Sequence, residues 1–179
     1  IMETDSAFRR EKAGIYIHIP FCVRKCIYCD FNSIPGSSRK LQSDYFAGLK
    51  NEISLFRKSL EKTQESQIFI KNRENVCVKP KSQNKALSDF ADTLFIGGGT
   101  PSSAEPSLIE DLLYYIRRPQ EEKTEMIFLS EDAEITMEVN PATAGPESLK
   151  RYYDAGINRI SIGVQSFDNE ELKFLGRIH

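Results

Sequence analysis

Several things are scarce in this sequence, and each scarcity narrows the reading. No stretch of its 179 residues approaches the ~18 consecutive apolar residues of a membrane-spanning helix. Neither sign of charge dominates: 24 lysines and arginines face 26 aspartates and glutamates, a net charge of −2. Such a balance does not advertise a surface for nucleic acid or for an anionic membrane. The opening IMETDSAFRREKAG has no apolar core for a secretory signal. It begins on Ile1, so the natural start is expected upstream. Histidine occurs only as His18 and His179, and no low-complexity tract stands out. Cysteine is rare too: Cys22, Cys26, Cys29 and Cys77. An even count could close disulfides, but a chain this long has little need of such staples and carries no export signal. Three thiols within eight residues read instead as metal ligands in a reducing compartment. The expected location is therefore cytoplasmic, or an organelle had a transit peptide been lost.

What is present is ordinary globular material, 40% apolar and 28% charged, enough for about one domain. Four short apolar runs bounded by Gly, Pro or Asn predict strands at 14–19, 92–99, 134–141 and 157–165. Helical patterns lie between and after them. Leu41, Tyr45, Leu49, Ile53, Phe56 and Leu60 recur at helical spacing and predict one buried face. PSLIEDLLYYIRR (106–118) has Pro near its start and Arg near its end, while PESLKRYYDAG (146–156) starts on Pro and ends on Gly. Asp168 and Glu171 resemble a capping box heading DNEELKFLG, which Gly176 closes.

Strands alternating with helices predict an α/β fold with a parallel sheet and right-handed crossovers, here about four βα units. Sites in such sheets form in the loops after the strands. Those loops read HIPFCVRKCIYCDF, GGGTPSS, EVNP and GVQSF, so the unusual stretches all fall on one side. Residues 61–91, ten of them charged, break the pattern and read as a surface insertion between the first helix and the second strand. IFI and VCV within it are candidate edge strands, and Cys77 reads as an uninvolved thiol. Residues 1–13 then form an N-terminal extension and 14–179 the domain proper.

Cys22, Cys26 and Cys29 have the spacing C-x3-C-x2-C. Three local thiolates can hold three irons of a 4Fe–4S cluster and leave the fourth open. An open coordination position is the mark of a catalytic rather than a structural metal. Structural zinc is the rival, needing a fourth ligand from Cys77 or a histidine. His18 shares a strand face with Tyr16 and reads as a satisfied supporting residue. The glycines at 97–99 allow a bare turn or a phosphate loop, though no P-loop lysine follows. Taken alone, Glu138 would be a solvated or ion-paired carboxylate and Gln165 a satisfied amide.

The cysteine spacing, with Tyr28 before the last thiol, resembles the motif of the radical S-adenosylmethionine family. YIHIPFC, FIGGGTPSS, EITMEVNP and GINRISIGVQSFDNEELKFLGRIH further resemble that family's coproporphyrinogen dehydrogenase-like branch, with its HemN and HemW types. The resemblance covers residues 14–179 apart from the insertion. It implies a partial (β/α) barrel, a 4Fe–4S cluster on Cys22, Cys26 and Cys29, and S-adenosyl-L-methionine on the open iron. It further implies that Tyr28 lies near the adenine and that Tyr16 reaches the same region. By the same resemblance Gly98, Gly99 and Thr100 receive the amino-acid end, Glu138 pairs with the methionyl ammonium, Gln165 contacts the ribose and Arg177 sits near the methionyl carboxylate. The chemistry suits these roles, since glycines admit a close backbone approach and Glu138 and Arg177 carry the complementary charges. No residue is assigned a catalytic role.

Two functions fit that branch, a HemW-type haem chaperone and a HemN-type oxidative decarboxylase of coproporphyrinogen III. The HemN type carries a further cysteine two residues beyond the last ligand, where this chain has Phe31. CDF and the closing LGRIH resemble the HemW type, which implies haem or a porphyrin as ligand, a haem-acceptor protein and an electron donor as partners. The chain stops at His179, short of the family's six-unit barrel and of the HN-x-x-YW motif associated with haem. It is accordingly expected to be a fragment with an open sheet edge, poorly soluble or inactive alone.

Overall fold

The computed structural model describes residues 13–67, 91–117 and 129–178. Cys77, IFI, VCV, Pro119 and His179 lie outside the described residues. Strand β1 (Ala13–Ile19) leads into a two-residue strand β2 (Phe21–Cys22), which pairs in parallel with β3 (Ile34–Pro35). Helix α1 (Arg39–Gln67) returns to β4 (Ala91–Gly98), α2 (Pro106–Arg117) to β5 (Leu129–Val139), and α3 (Pro146–Asp154) to β6 (Arg159–Ile162). A short α4 (Asn169–Phe174) follows. Among the described residues the main sheet has the order β1-β4-β5-β6, every pair parallel. This is the expected α/β architecture, a partial barrel built of successive βα units.

Period-two alternation decides which side each strand residue takes. Ile17, Ile19, Leu94, Ile96, Ile135 and Met137 are buried in one cluster with Ile109, Leu112, Leu113 and Ile116 of α2 and Tyr152 of α3. Each fully buried aliphatic side chain of this kind contributes about 1.5–3 kcal/mol. The alternate residues face the other side. Tyr16 pairs in register with Phe95, and Phe95 with Thr136; His18 pairs with Gly97, and Glu138 with Ser161.

Helix α1 is rotated from the expected face. Leu41 and Phe56 are exposed, while Gln42, Phe46 and Arg57 are buried beside Tyr45, Leu49 and Ile53. The reason is polar. Arg57 Nη2 donates to the carbonyls of Tyr115 and Ile116 at 3.2 and 2.7 Å, closing the C-terminal end of α2. Gln42 bridges Ser37 and the backbone N–H of Glu105. Helix α1 also runs on to Gln67, so the first residues of the expected insertion are helical.

Strand β5 starts earlier than expected, and its register on β4 shifts between Ala91 and Thr93. Asn158 supports β5 near that irregularity, accepting from Ile135 N–H at 2.8 Å and donating to Ala133 O at 2.9 Å. Strand β6 is shorter than expected, and its regular pairing covers only residues 159–162.

Candidate functional site

The loops beyond β1, β4, β5 and β6 enclose a cavity of about 280 Å³. Its lining includes Cys22, Cys26, Cys29, Tyr28, Gly98, Gly99, Thr100, Glu138, Gln165 and Arg177. Ten of the eleven residues singled out from the sequence thus meet around one space. Tyr16 is the exception. It lies on the inner face of the sheet, stacked on Phe95 with ring centroids 6.0 Å apart, in a groove shared with Tyr45 and Leu49 of α1. Burial, and then the nearby Glu138 carboxylate, raise its phenol above the usual range.

The cysteine loop is held mainly by backbone bonds. Ile34 N–H donates to Pro20 O at 2.6 Å and Gly36 N–H to Cys22 O at 2.9 Å, so β2 and β3 close the base of the loop. A turn sets the last two thiols, with Cys29 N–H donating to Cys26 O at 3.1 Å. His18 ties in the outgoing strand. Its Nε2 donates to Asn32 O at 2.9 Å, which leaves Nδ1 to accept from the Tyr16 hydroxyl at 3.1 Å. His18 is thus the supporting residue expected. All three thiols are free, and they share the cavity without converging on one point. A four-iron cluster takes each thiolate on a different iron.

The glycine turn after β4 locks onto that loop. Gly99 N–H donates to Ile19 O at 2.9 Å and Thr100 N–H to Phe21 O at 2.7 Å. A Cβ on Gly99 would stand 2.8 Å from the carbonyl oxygens of Pro20 and Phe21, so no larger residue fits there. Gly98 has a φ of 119°, and its N–H donates to Glu138 Oε2 at 3.1 Å. Thr100 Oγ1 lies 3.4 Å from Cys22 Sγ. The EVNP turn is latched in the same way. Buried Ser102 accepts from Asn140 N–H at 3.0 Å and meets Thr143 Oγ1 at 2.5 Å.

The far wall comes from the end of the chain. Asp168 caps α4, accepting from Glu170 and Glu171 N–H at 2.9 and 3.0 Å. The Glu171 side chain, which a capping box would turn back to Asp168, meets Ser166 Oγ instead. At the other end Gly176 takes a φ of 69° and Arg177 N–H reaches back to Leu172 O at 2.8 Å, a Schellman closure. That closure aims Arg177 into the cavity. Its Nη2 donates to Gly163 O at 2.6 Å, and its Nη1 lies 3.3 Å from Tyr28 Oη and 3.6 Å from Cys26 Sγ. Arg177 Nε is buried and has no partner among the described residues. Burial raises the Tyr28 phenol; Arg177 opposes this and Cys26 adds to it. Gln165 stands at a φ of 68°, a strained setting for a residue with a side chain.

Reading the sequence by residue missed part of the lining, notably Arg24, Lys25, Ser33, Asn140 and Ser161. All lie within or beside motifs already marked, so the signal was proximity in the chain rather than residue chemistry. Among the described residues no helix is long and apolar enough to cross a membrane.

Known proteins resemble this chain over most of its length. The family model of the radical SAM superfamily matches residues 16–179. Heme chaperone HemW of Escherichia coli (strain K12) is 39% identical over 166 residues, which cover 93% of this chain and 35% of that protein. Radical S-adenosyl methionine domain-containing protein 1, mitochondrial, of Danio rerio is 35% identical over 94% of this chain and 30% of its own length. This chain therefore spans about a third of these curated relatives. Among solved structures, that titled "Coproporphyrinogen III oxidase (HemN) from Escherichia coli is a Radical SAM enzyme" superposes with a TM-score of 0.67 at 25% identity. It covers 93% of this chain and 31% of that one.

Proposed function

We propose, for a chain that belongs to the radical SAM superfamily, that residues 14–179 are the cluster- and S-adenosylmethionine-binding part of a HemW-type haem chaperone. The observation that carries the proposal is the gathering of the three free thiols, the glycine turn, Glu138 and Arg177 around one cavity. The residues fit the group that the family implies. Thiols are the usual ligands of an iron–sulfur cluster, and Arg177 keeps a buried N–H that has no partner among the described residues.

In this reading Cys22, Cys26 and Cys29 hold a 4Fe–4S cluster. When bound, that cluster supplies the electron that cleaves the sulfonium of S-adenosylmethionine to methionine and a 5′-deoxyadenosyl radical. Glu138 takes the ammonium of the amino-acid end and Arg177 its carboxylate, each a charge-assisted contact. The backbone of Gly98 and Gly99 lets that end approach, and Thr100 braces Cys22. Tyr28 flanks the adenine, Gln165 the ribose, and Tyr16 reaches toward the same region from the sheet face beside Glu138.

Haem as ligand, a haem-acceptor protein and an electron donor as partners, and a cytoplasmic location belong to the whole protein. Haem and its acceptor are proposed here from the name of the HemW relatives, the electron donor from the cluster reading, and the location from the clustered thiols. A HemN-type coproporphyrinogen oxidase is the second reading, favoured by the structural likeness. Phe31, where that type carries a cysteine, argues against it. Anaerobic reconstitution with iron and sulfide, followed by electron paramagnetic resonance with and without S-adenosylmethionine, tests the site. A reduced-cluster signal that changes on addition supports the reading, and a chain that takes up no cluster overturns it. Haem titration and coproporphyrinogen turnover of the full-length protein then separate chaperone from oxidase.

A further inference from the structure

Arg177 touches more than a carboxylate-binding residue needs to touch. Its Nη1 reaches both Cys26 Sγ, at 3.6 Å, and the Tyr28 hydroxyl, at 3.3 Å, while Nη2 is anchored on Gly163 O at 2.6 Å. The guanidinium is planar and presents its five N–H groups in a rigid fork. The Nη1 end is therefore spent on the cysteine loop. Nε is buried and has no partner among the described residues. One side chain thus faces a thiol and a phenol with one end and is anchored on the backbone with another.

We infer that Arg177 is a positioning residue that tunes the cluster electronically, its Nη1–H donating to Cys26 Sγ and so setting how readily the bound cluster accepts an electron. This rests on the reading that Cys22, Cys26 and Cys29 hold a 4Fe–4S cluster. The step concerned is a one-electron reduction. One electron from a low-potential carrier enters the cluster core, taking it from the 2+ to the 1+ charge, and no bond is made or broken. The added charge spreads onto the thiolate sulfurs, and a hydrogen bond to a sulfur stabilises that form. Hydrogen bonds to the sulfurs and nearby charge are among the factors that set such potentials.

Other cations share the cavity and allow charge and hydrogen bond to be told apart. Arg24 lines it beside the same cysteines, with no contact to sulfur among the described residues. The experiment is a redox titration of the reconstituted full chain, followed by the reduced-cluster resonance, with iron and sulfide content measured on each sample. Wild type is compared with Arg177→Gln, Arg177→Lys and Arg24→Gln. Loss of the Nη1–H contact is expected to make reduction about tenfold less favourable, a fall of about 59 mV for one electron. Arg177→Lys keeps a cation but lacks the fork, and is expected to fall as well; it also keeps the comparison open should Arg177→Gln take up less iron. Arg24→Gln is expected to move the potential much less. Equal shifts in Arg24→Gln and Arg177→Gln would reduce the effect to charge alone and overturn the inference. So would an unmoved potential in both Arg177 variants that carry full clusters. A wild-type chain without iron and sulfide would instead overturn the cluster reading itself.

Discussion

The two faces of the sheet carry different duties, and β1 displays both within four residues. Ile17 and Ile19 are sealed beneath the helices, whereas Tyr16 on the opposite face remains 59% exposed. His18, its neighbour on that face, braces the cysteine loop through Asn32. The same division runs through β4 and β5. Leu94, Ile96, Ile135 and Met137 are core; Gly97 and Glu138 serve the cavity side. Stability and site chemistry are therefore separable residue by residue, even where the residues are adjacent in the chain.

Substitutions can break that separation or sharpen it. The largest effect is expected from Cys29→Ala, which should abolish cluster uptake after reconstitution. Its unfolding free energy should move by less than about 0.5 kcal/mol, because the thiol is outside the core. Iron analysis and denaturant unfolding check both halves. Ile96→Ala should do the opposite. Removing a fully buried side chain costs about 2–5 kcal/mol, read as a lower denaturant midpoint, and whatever protein remains folded should still take up iron.

Glu138→Gln comes next. The amide oxygen can still accept from Gly98 N–H, so the turn should hold. Exchanging a charged acceptor for a neutral one should weaken S-adenosylmethionine binding by about tenfold, measured by titration of the reconstituted chain. The smallest effect is expected at Tyr152, whose hydroxyl is buried without a partner among the described residues. Tyr152→Phe should stabilise the fold by about 1 kcal/mol. Burial is the first cause raising the Tyr152 phenol above 10.0, with Arg151 opposing it. Its contribution to stability is therefore complete below pH 10.0 and is lost as pH rises through the folded-state value. Unfolding followed from about pH 9 to about pH 11 should decline less steeply in the variant than in wild type.

Much of this was legible in the chain itself because the signals are local. Period two marks β1, β4 and the paired end of β5. Proline at the start and glycine at the end mark α3, and Gly156 does take a φ of 102°. Helix α1 was legible as a helix but not in its orientation. Its apolar spacing favoured Leu41 and Phe56, and the burial of Gln42 and Arg57 is decided by carbonyls and N–H groups on other elements. The two-residue strands β2 and β3 are too short to carry a period, so only the fold reveals what closes the cysteine loop. The latch of Ser102 on Asn140 likewise joins turns 38 residues apart.

By itself the sequence determined the alternation of strands and helices, the thiol spacing and the glycines that end the helices, because each depends on bonds within a few residues. Only the tertiary structure decided that Tyr16 lies beside the cavity and not in it. It alone brought Arg177 to Cys26 across 151 residues. Such contacts are set by the register of parallel strands and by helices packing over them, and no local period encodes a distance of that kind.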